Sequence, residues 1–368
     1  MNFEFSDDQK LIQEQARQFL AEYSPLTATR KVMDGESVYN SHLWKSIVDL
    51  GWTATAIDEH YGGLGLGSLE LCVIAQELGR SLTPIPFFST IYLATEIIQQ
   101  HGNEQQKQRL LPSIAAGEII VCLASSEIAG QHLLKAKQTQ YSKRQLNGKK
   151  IAVLDGVEAD YAIVSATDTN KKHSLYLVNL HQADIQRTLS HSIDSSRPLA
   201  SIEFINAVAE PLGADNAASA ILTEAFDRAA VFTSFEQLGG CEASMQMGIH
   251  YTNQRFAFGR SVASFQAIKH IFADMYVAIE LARSNAYFAA WALSVNDKKL
   301  PLAAATARVS AIDAYYFCSK ENIEVHGGMG FTWEFDCHLY YKRAQLLSSI
   351  IGSSRWWREQ LVSRLLDE

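Results

Sequence analysis

Beyond Asn216 the chain reads as helical runs of roughly 25–35 residues, the strongest constraint its sequence contains. Helices of that length bury their apolar faces by packing antiparallel on one another, so this half of the chain is expected to form a bundle. Two short breaks interrupt the runs. The first, Asn253 to His270 (NQRFAFGRSVASFQAIKH), brackets Phe258-Gly259 between Arg255 and Arg260 and places Gln266 where the helix resumes. Gly259 is expected to end one helix and Ser261 or Ser264 to cap the next, so that backbone donors face whatever the arginine recruits. An anion held there would meet a guanidinium, a helix N-terminus and an aromatic face together, which suits a pyrophosphate or nucleotide. The alternative on spacing alone is an ordinary helix–turn–helix with solvated arginines. The second break, Glu324 to Arg343 (EVHGGMGFTWEFDCHLYYKR), carries Gly327-Gly328, Gly330 and Phe331.

The rest of the chain divides by pattern. Residues 6–116 are helical, with Leu11, Ile12, Ala16, Phe19 and Leu20 forming one apolar face and an apolar helix over Leu69–Leu78 expected to be buried. The GGLGLG between them has no βαβ context and is not read as a dinucleotide loop. From Gly117 to about Leu212 short β-rich runs (VCLAS, KKIAVL, YAIVSA, SLYLVNL, ASIEFI) alternate with polar turns, and Asn147-Gly148 signals a hairpin. The class is α+β, in three expected domains: helical 1–116, a small β-sheet domain 117–213 and a helical bundle 214–368. A formal charge of −8 disfavours nucleic acid or an anionic membrane as main partner, and no run is long and apolar enough for a membrane span. No signal peptide is apparent, and the five cysteines lack metal-ligand spacing. Buried thiols in a cytoplasmic protein are expected.

Together the two breaks resemble, in spacing and order, the flavin-binding signatures of the acyl-CoA dehydrogenase family. The resemblance extends through GW…DEHYGGLGLGS, ELGRSLTPIPF and the long C-terminal runs to nearly the whole chain, with Asp58 where relatives commonly have proline. It implies the acyl-CoA dehydrogenase fold: N-terminal helices, a middle sheet and a C-terminal four-helix bundle. It also implies FAD, held by Arg255, Phe258 and Gln266, with Gly327 and Gly328 reaching the cofactor of a neighbouring subunit. Glycine suits that role because a side chain would keep backbone N–H groups from phosphate. Glu324 stands where relatives usually have glutamine, and a carboxylate beside a pyrophosphate is repulsive unless protonated or turned away. Ser353 stands for a cofactor-contacting threonine. In the sheet domain the family's Thr-Glu-Pro loop is reduced to CLASSEIAGQH, where Ser125, Ser126 and Gly130 are the remaining donors. A tryptophan and threonine against the flavin ring are replaced by Ala152 and Leu154, within a V-x-D-G-x-x-A-D element that resembles members acting on steroid or other bulky acyl-CoAs.

Family chemistry is α,β-desaturation of an acyl-CoA: a carboxylate takes the α-proton while hydride leaves for the flavin. At the two places where relatives carry that glutamate this chain has Ile351 and Ala229. Glu236, two turns beyond Ala229 among Phe232, Phe235 and Leu238, is the candidate base, its pKa expected to rise in apolar surroundings; the alternative is a structural glutamate paired with an arginine. Asp227 matches a family aspartate near the CoA arm, a substrate contact. His326 could donate to phosphate, though a lone histidine is more often structural.

Three functions fit the resemblance. One is an active FAD-dependent dehydrogenase of a bulky acyl-CoA, with small Ala152 and Ala229 widening its pocket and an electron-transfer flavoprotein or similar acceptor. Another is a non-catalytic subunit sharing flavin sites with a paralogous chain. The third is a flavin-free scaffold. A homo- or heterotetramer is implied in the first two, because the glycine loop completes a neighbour's site.

Overall fold

A computed structural model describes residues 5–130, 133–135 and 137–366. Six helices come first: α1 (Asp7–Tyr23), α2 (Leu26–Met33), α3 (Ser41–Asp49), α4 (Ser68–Arg80), α5 (Glu96–His101) and α6 (Glu104–Ala115). Eight strands follow: β1 (Val121–Ala124), β2 (Gln140–Ser142), β3 (Gln145–Leu154), β4 (Tyr161–Asp168), β5 (His173–Asn179), β6 (Ile185–Ser190), β7 (Leu199–Val208) and β8 (Glu210–Leu212). The remainder is α7 (Ala218–Gln254), the short strands β9 (Phe256–Ala257) and β10 (Arg260–Ser261), α8 (Gln266–Ser294), α9 (Leu300–His326), α10 (Cys337–Leu347) and α11 (Ser354–Leu366). Two compact units result: Met1–Thr29 with Ser68–Thr83 and Ala230–Glu368, and Arg30–Gly67 with Pro84–Ala229.

In the helical unit, α1 opens with a capping box in which Ser6 and Gln9 each bind the other's backbone N–H. Ala16 and Leu20 are buried as their spacing requires, but Leu11 is 53% exposed. The apolar run of α4 is buried from Leu71 to Gly79. Two glycines bring α4 and α7 into backbone contact. A Cβ on Gly79 would lie 1.9 Å from the Glu236 carbonyl oxygen, and one on Gly239 would lie 1.8 Å from that of Gln76. Arg308 of α9 is fully buried and donates to Gln237 and to the carbonyl of Leu347, the last residue of α10. That helix end carries partial negative charge, which offsets the buried guanidinium.

In the sheet unit the strand order is β6-β7-β3-β2-β4-β5-β8, with β1 also paired to β4. β1 and β2 run parallel to β4, and the remaining pairs are antiparallel. Inward residues including Cys122, Leu146, Val164, Val178, Ile202 and Phe204 form its core. The hairpin expected at Asn147-Gly148 does not form there. β2 turns into β3 through Lys143 and Arg144, both at positive φ (49° and 64°), the geometry of a two-residue type I′ turn. Gly148 lies inside β3 at a register shift, and a Cβ on it would approach Thr139 Cα to 2.8 Å. The glycine marks a close backbone approach rather than a turn.

Candidate functional site

α7 runs to Gln254 and gives way at once to a two-strand hairpin, not to a simple helix end. Phe258 and Gly259 form its turn, both at positive φ (53° and 77°), and Phe258 is 96% exposed. The expected caps are corrected too. α8 starts at Gln266 behind Phe265 with no side-chain cap. The hydroxyl of Ser261 donates to the Thr252 carbonyl, and that of Ser264 to the Ser261 carbonyl. The first N–H groups of α8 are therefore open to an external acceptor. The Arg260 guanidinium lies 3.9 Å over the Phe265 ring, which holds its charge beside that helix start. Arg255 and Gln266 are exposed on the same segment.

The glycine break emerges beside it. His326, the last residue of α9, stacks on Tyr251 in the last turn of α7 with ring centroids 4.2 Å apart. The two signature segments thus leave the bundle at one end. His326 Nδ1 lies 2.6 Å from the Asn322 carbonyl, and burial holds its pKa below the ordinary histidine value against that bond. Its place is structural. Gly327 takes φ 60°, and a Cβ built on Gly327 or Gly328 meets nothing within 4 Å, so both backbones are accessible. Glu324 is exposed one turn earlier. Ser353 sits elsewhere: its hydroxyl accepts the Trp356 N–H at the start of α11, whose Arg358 pairs with Asp313 midway along α9.

Neither expected base position is ionisable or open: Ala229 and Ile351 are each 0% exposed. The Ile351 carbonyl accepts from the buried Trp357 indole. Glu236 is also 0% exposed, and its Oε1 lies 3.5 Å from Nη1 of the buried Arg343. Arg308 is close enough for Glu236 to oppose the downward shift that burial imposes on its pKa, which lies at about 9. This is the arginine-paired arrangement that the sequence left as the alternative for Glu236.

On the sheet unit, Ser125 is buried just past β1, and the Ser126 carbonyl accepts the Ile151 N–H at 2.9 Å. Ala152 takes φ 52° within a register shift of β3, and Leu154 is buried. Both aspartates of the V-x-D-G-x-x-A-D element have structural partners. Asp155 accepts the Ser89 hydroxyl at 2.5 Å, and Asp160 accepts the Ile120 N–H at 2.8 Å. Asp227 is buried near the start of α7, next to Arg228, which pairs with Glu96. Sequence reasoning passed over Glu127 and Lys150, whose side chains are both sealed and bonded at 2.8 Å. An inward lysine in a strand was the available signal, since a buried cation requires a partner.

Residues 6–118 match the family model for the acyl-CoA dehydrogenase N-terminal domain, and residues 219–366 that for its C-terminal domain. The chain belongs to the acyl-CoA dehydrogenase family. Acyl-CoA dehydrogenase IpdE2 of Mycobacterium tuberculosis is 29% identical over 360 residues, 98% of each chain. Butyryl-CoA dehydrogenase from Megasphaera elsdenii has the same fold, with a TM-score of 0.92 at 23% identity over the whole of both chains. A variant of the Tcur3481–Tcur3483 steroid ACAD gives 0.88 at 25% identity over 98% of both. Members of this family are generally FAD-dependent oxidoreductases. The bundle end fits such a cofactor: two exposed arginines and an uncapped helix start are donors suited to a pyrophosphate, Phe258 is an exposed aromatic face, and the Gly327-Gly328 backbone is accessible beside them. Among the described residues no helix is long and apolar enough to cross a membrane.

Proposed function

We propose that this chain is one subunit of a heteromeric FAD-dependent acyl-CoA dehydrogenase that desaturates a bulky acyl-CoA. It contributes flavin-binding residues, and a paralogous chain contributes the base that takes the α-proton. One observation carries the reading: both places for the family glutamate hold sealed apolar side chains, Ala229 and Ile351. Proton abstraction needs a carboxylate within about 3 Å of the proton. Glu236 is a poor substitute because it is enclosed in the bundle against Arg343.

The cofactor side is equipped in this chain. Arg255, Arg260, Gln266 and the start of α8 bind and orient the pyrophosphate, Phe258 covers an apolar face, and Gly327-Gly328 bring backbone donors to a neighbour's flavin. In the sheet unit Ser125 supplies a further donor and Asp227 contacts the CoA arm, whereas Ser353, engaged at the start of α11, is left out of this reading. FAD held by these residues would supply the hydride acceptor for the β-carbon. An electron-transfer flavoprotein or similar acceptor would take up the electrons, and the assembly is a tetramer in this reading. The small, exposed side chain of Ala152, together with the likeness to a steroid ACAD, supports a bulky acyl group.

The test is the visible spectrum of the chain purified alone and with the chain encoded beside it. A full flavin band only in the pair, bleached by a steroid-type acyl-CoA, is expected. A full band in the lone chain, bleached by the same compound, would replace this reading with a self-sufficient enzyme. No flavin in either preparation would leave the fold without dehydrogenase function.

A further inference from the structure

The sealed Glu127–Lys150 pair ties four segments of the sheet unit together at one point. Glu127 follows β1, and its carboxylate accepts the backbone N–H groups of Gln138 at 2.6 Å and Thr139 at 2.8 Å. It also accepts from Lys150 Nζ of β3 at 2.8 Å, and that ammonium donates onward to Ser165 of β4 at 3.2 Å. The side chains of Lys150 and Glu127 are 0% and 1% exposed. Glu127 therefore joins the two ends of the connection from β1 to β2 through its own carboxylate. The Ser126 carbonyl, on the N–H of Ile151, adds a second tie directly beside it.

A buried ion pair of this kind is seldom retained for stability. Desolvating the two charges costs about as much as their attraction returns, and a well-packed apolar pair of similar volume often serves equally well. The pair's electrostatics match its burial. Burial alone would raise the Glu127 pKa, but the Gln138 N–H and Lys150 outweigh it and hold it below the ordinary value; burial lowers Lys150 to about 8. What the pair gives that an apolar pair could not is a fixed backbone path, since an apolar residue at 127 has no acceptor for the two N–H groups. The segment fixed is the one that starts at Ser125 and Ser126.

We infer that Glu127 and Lys150 are positioning residues for the flavin: the pair fixes the Ser125–Ser126 donors against the sheet, in the loop where relatives rely on a Thr-Glu-Pro sequence. The inference rests on the flavin reading above and adds to it a residue pair that touches no substrate atom. Glu127 acts through Ser125 and Ser126, and Lys150 acts through Glu127.

The experiment measures FAD affinity by quenching of flavin fluorescence, using the full chain together with its neighbouring chain, for wild type, Glu127→Gln and the double variant Glu127→Leu/Lys150→Met. Thermal unfolding is recorded for each. The single variant leaves the Lys150 ammonium buried without its counter-charge and is expected to lose stability as well as flavin. The double variant removes both charges but still leaves the Gln138 and Thr139 N–H groups without their acceptor, so it is expected to unfold between the single variant and wild type, folded at the assay temperature, while binding FAD roughly tenfold more weakly or worse. Amide hydrogen exchange at Gln138 and Thr139 should quicken in both. A double variant with wild-type affinity would overturn the inference and leave the flavin reading standing. Wild type without measurable FAD affinity would overturn both. If Glu127→Gln does not fold, the double variant alone decides.

Discussion

Glu236→Gln separates a catalytic from a structural glutamate, because only the structural role predicts a large loss of stability. Glu236 and Arg343 are 0% and 1% exposed at the side chain, so neither charge is screened by water. Removing one partner of such a pair strands the other and costs about 3–5 kcal/mol. The 3.5 Å separation is long, and glutamine keeps one acceptor, which places the expected loss near the lower end, about 3 kcal/mol. Arg308 adds to it. Glu236 is the influence that opposes the lowering of the Arg308 pKa, so its loss makes that buried cation costlier too. For a unit of this size the midpoint should fall by roughly 6–12 °C. The assay is scanning fluorimetry of the assembled protein, with Glu236→Leu/Arg343→Met recovering the part of the loss due to Arg343 and not the part due to Arg308. A variant that melts with wild type yet no longer bleaches with acyl-CoA would refute the structural assignment and restore Glu236 as the base.

Gly239→Ala should destabilise the helical unit by about 3 kcal/mol or more, since the new methyl falls 1.8 Å from the Gln76 carbonyl oxygen and backbone cannot yield as a side chain can; urea titration would show it. Lys150 has a folded pKa of about 8 against 10.5 when free. Below pH 8 both states are charged and the burial penalty is complete; between the two values only the unfolded chain holds the proton. Stability should therefore rise across that window by up to roughly 3 kcal/mol, seen in denaturant titrations against Glu127→Leu/Lys150→Met as the flat control. His326 has the same sign at lower pH. Its folded pKa lies below 6.5, so stability should fall as pH drops below that value, and His326→Gln should blunt the fall in acid-unfolding curves.

What could be read in advance was what repeats or what neighbours in sequence carry. The long bundle helices, the buried α4 and the empty base positions all follow from local pattern. Turn chemistry was less legible. Asn147-Gly148 carries a strong hairpin signal, yet Gly148 is needed against Thr139 and the turn falls on Lys143-Arg144, a pair with no such signal. At Phe258-Gly259 the same positive-φ turn stands where a helix end was expected, because a hairpin needs both residues left-handed and phenylalanine does not advertise it. The partners of buried charges were the least accessible. Glu236 meets Arg343 across 107 residues, and Glu127 meets Lys150 across 23, separations at which periodicity carries no information.

The division of the chain bears on how it is made. The apolar face of α4 is complete once Arg80 is synthesised, but α8, one of the helices it packs on, ends only at Ser294. At about 5–20 residues per second a ribosome needs roughly 10–40 s to cover that interval. Until α7 and then α8 are made, a helix with nine consecutive buried residues, Leu71 to Gly79, has only α1 of its helical neighbours to pack on. The nascent chain should hold a chaperone through that window, and depletion of trigger-type holdases should reduce yield more than a lower growth temperature restores it.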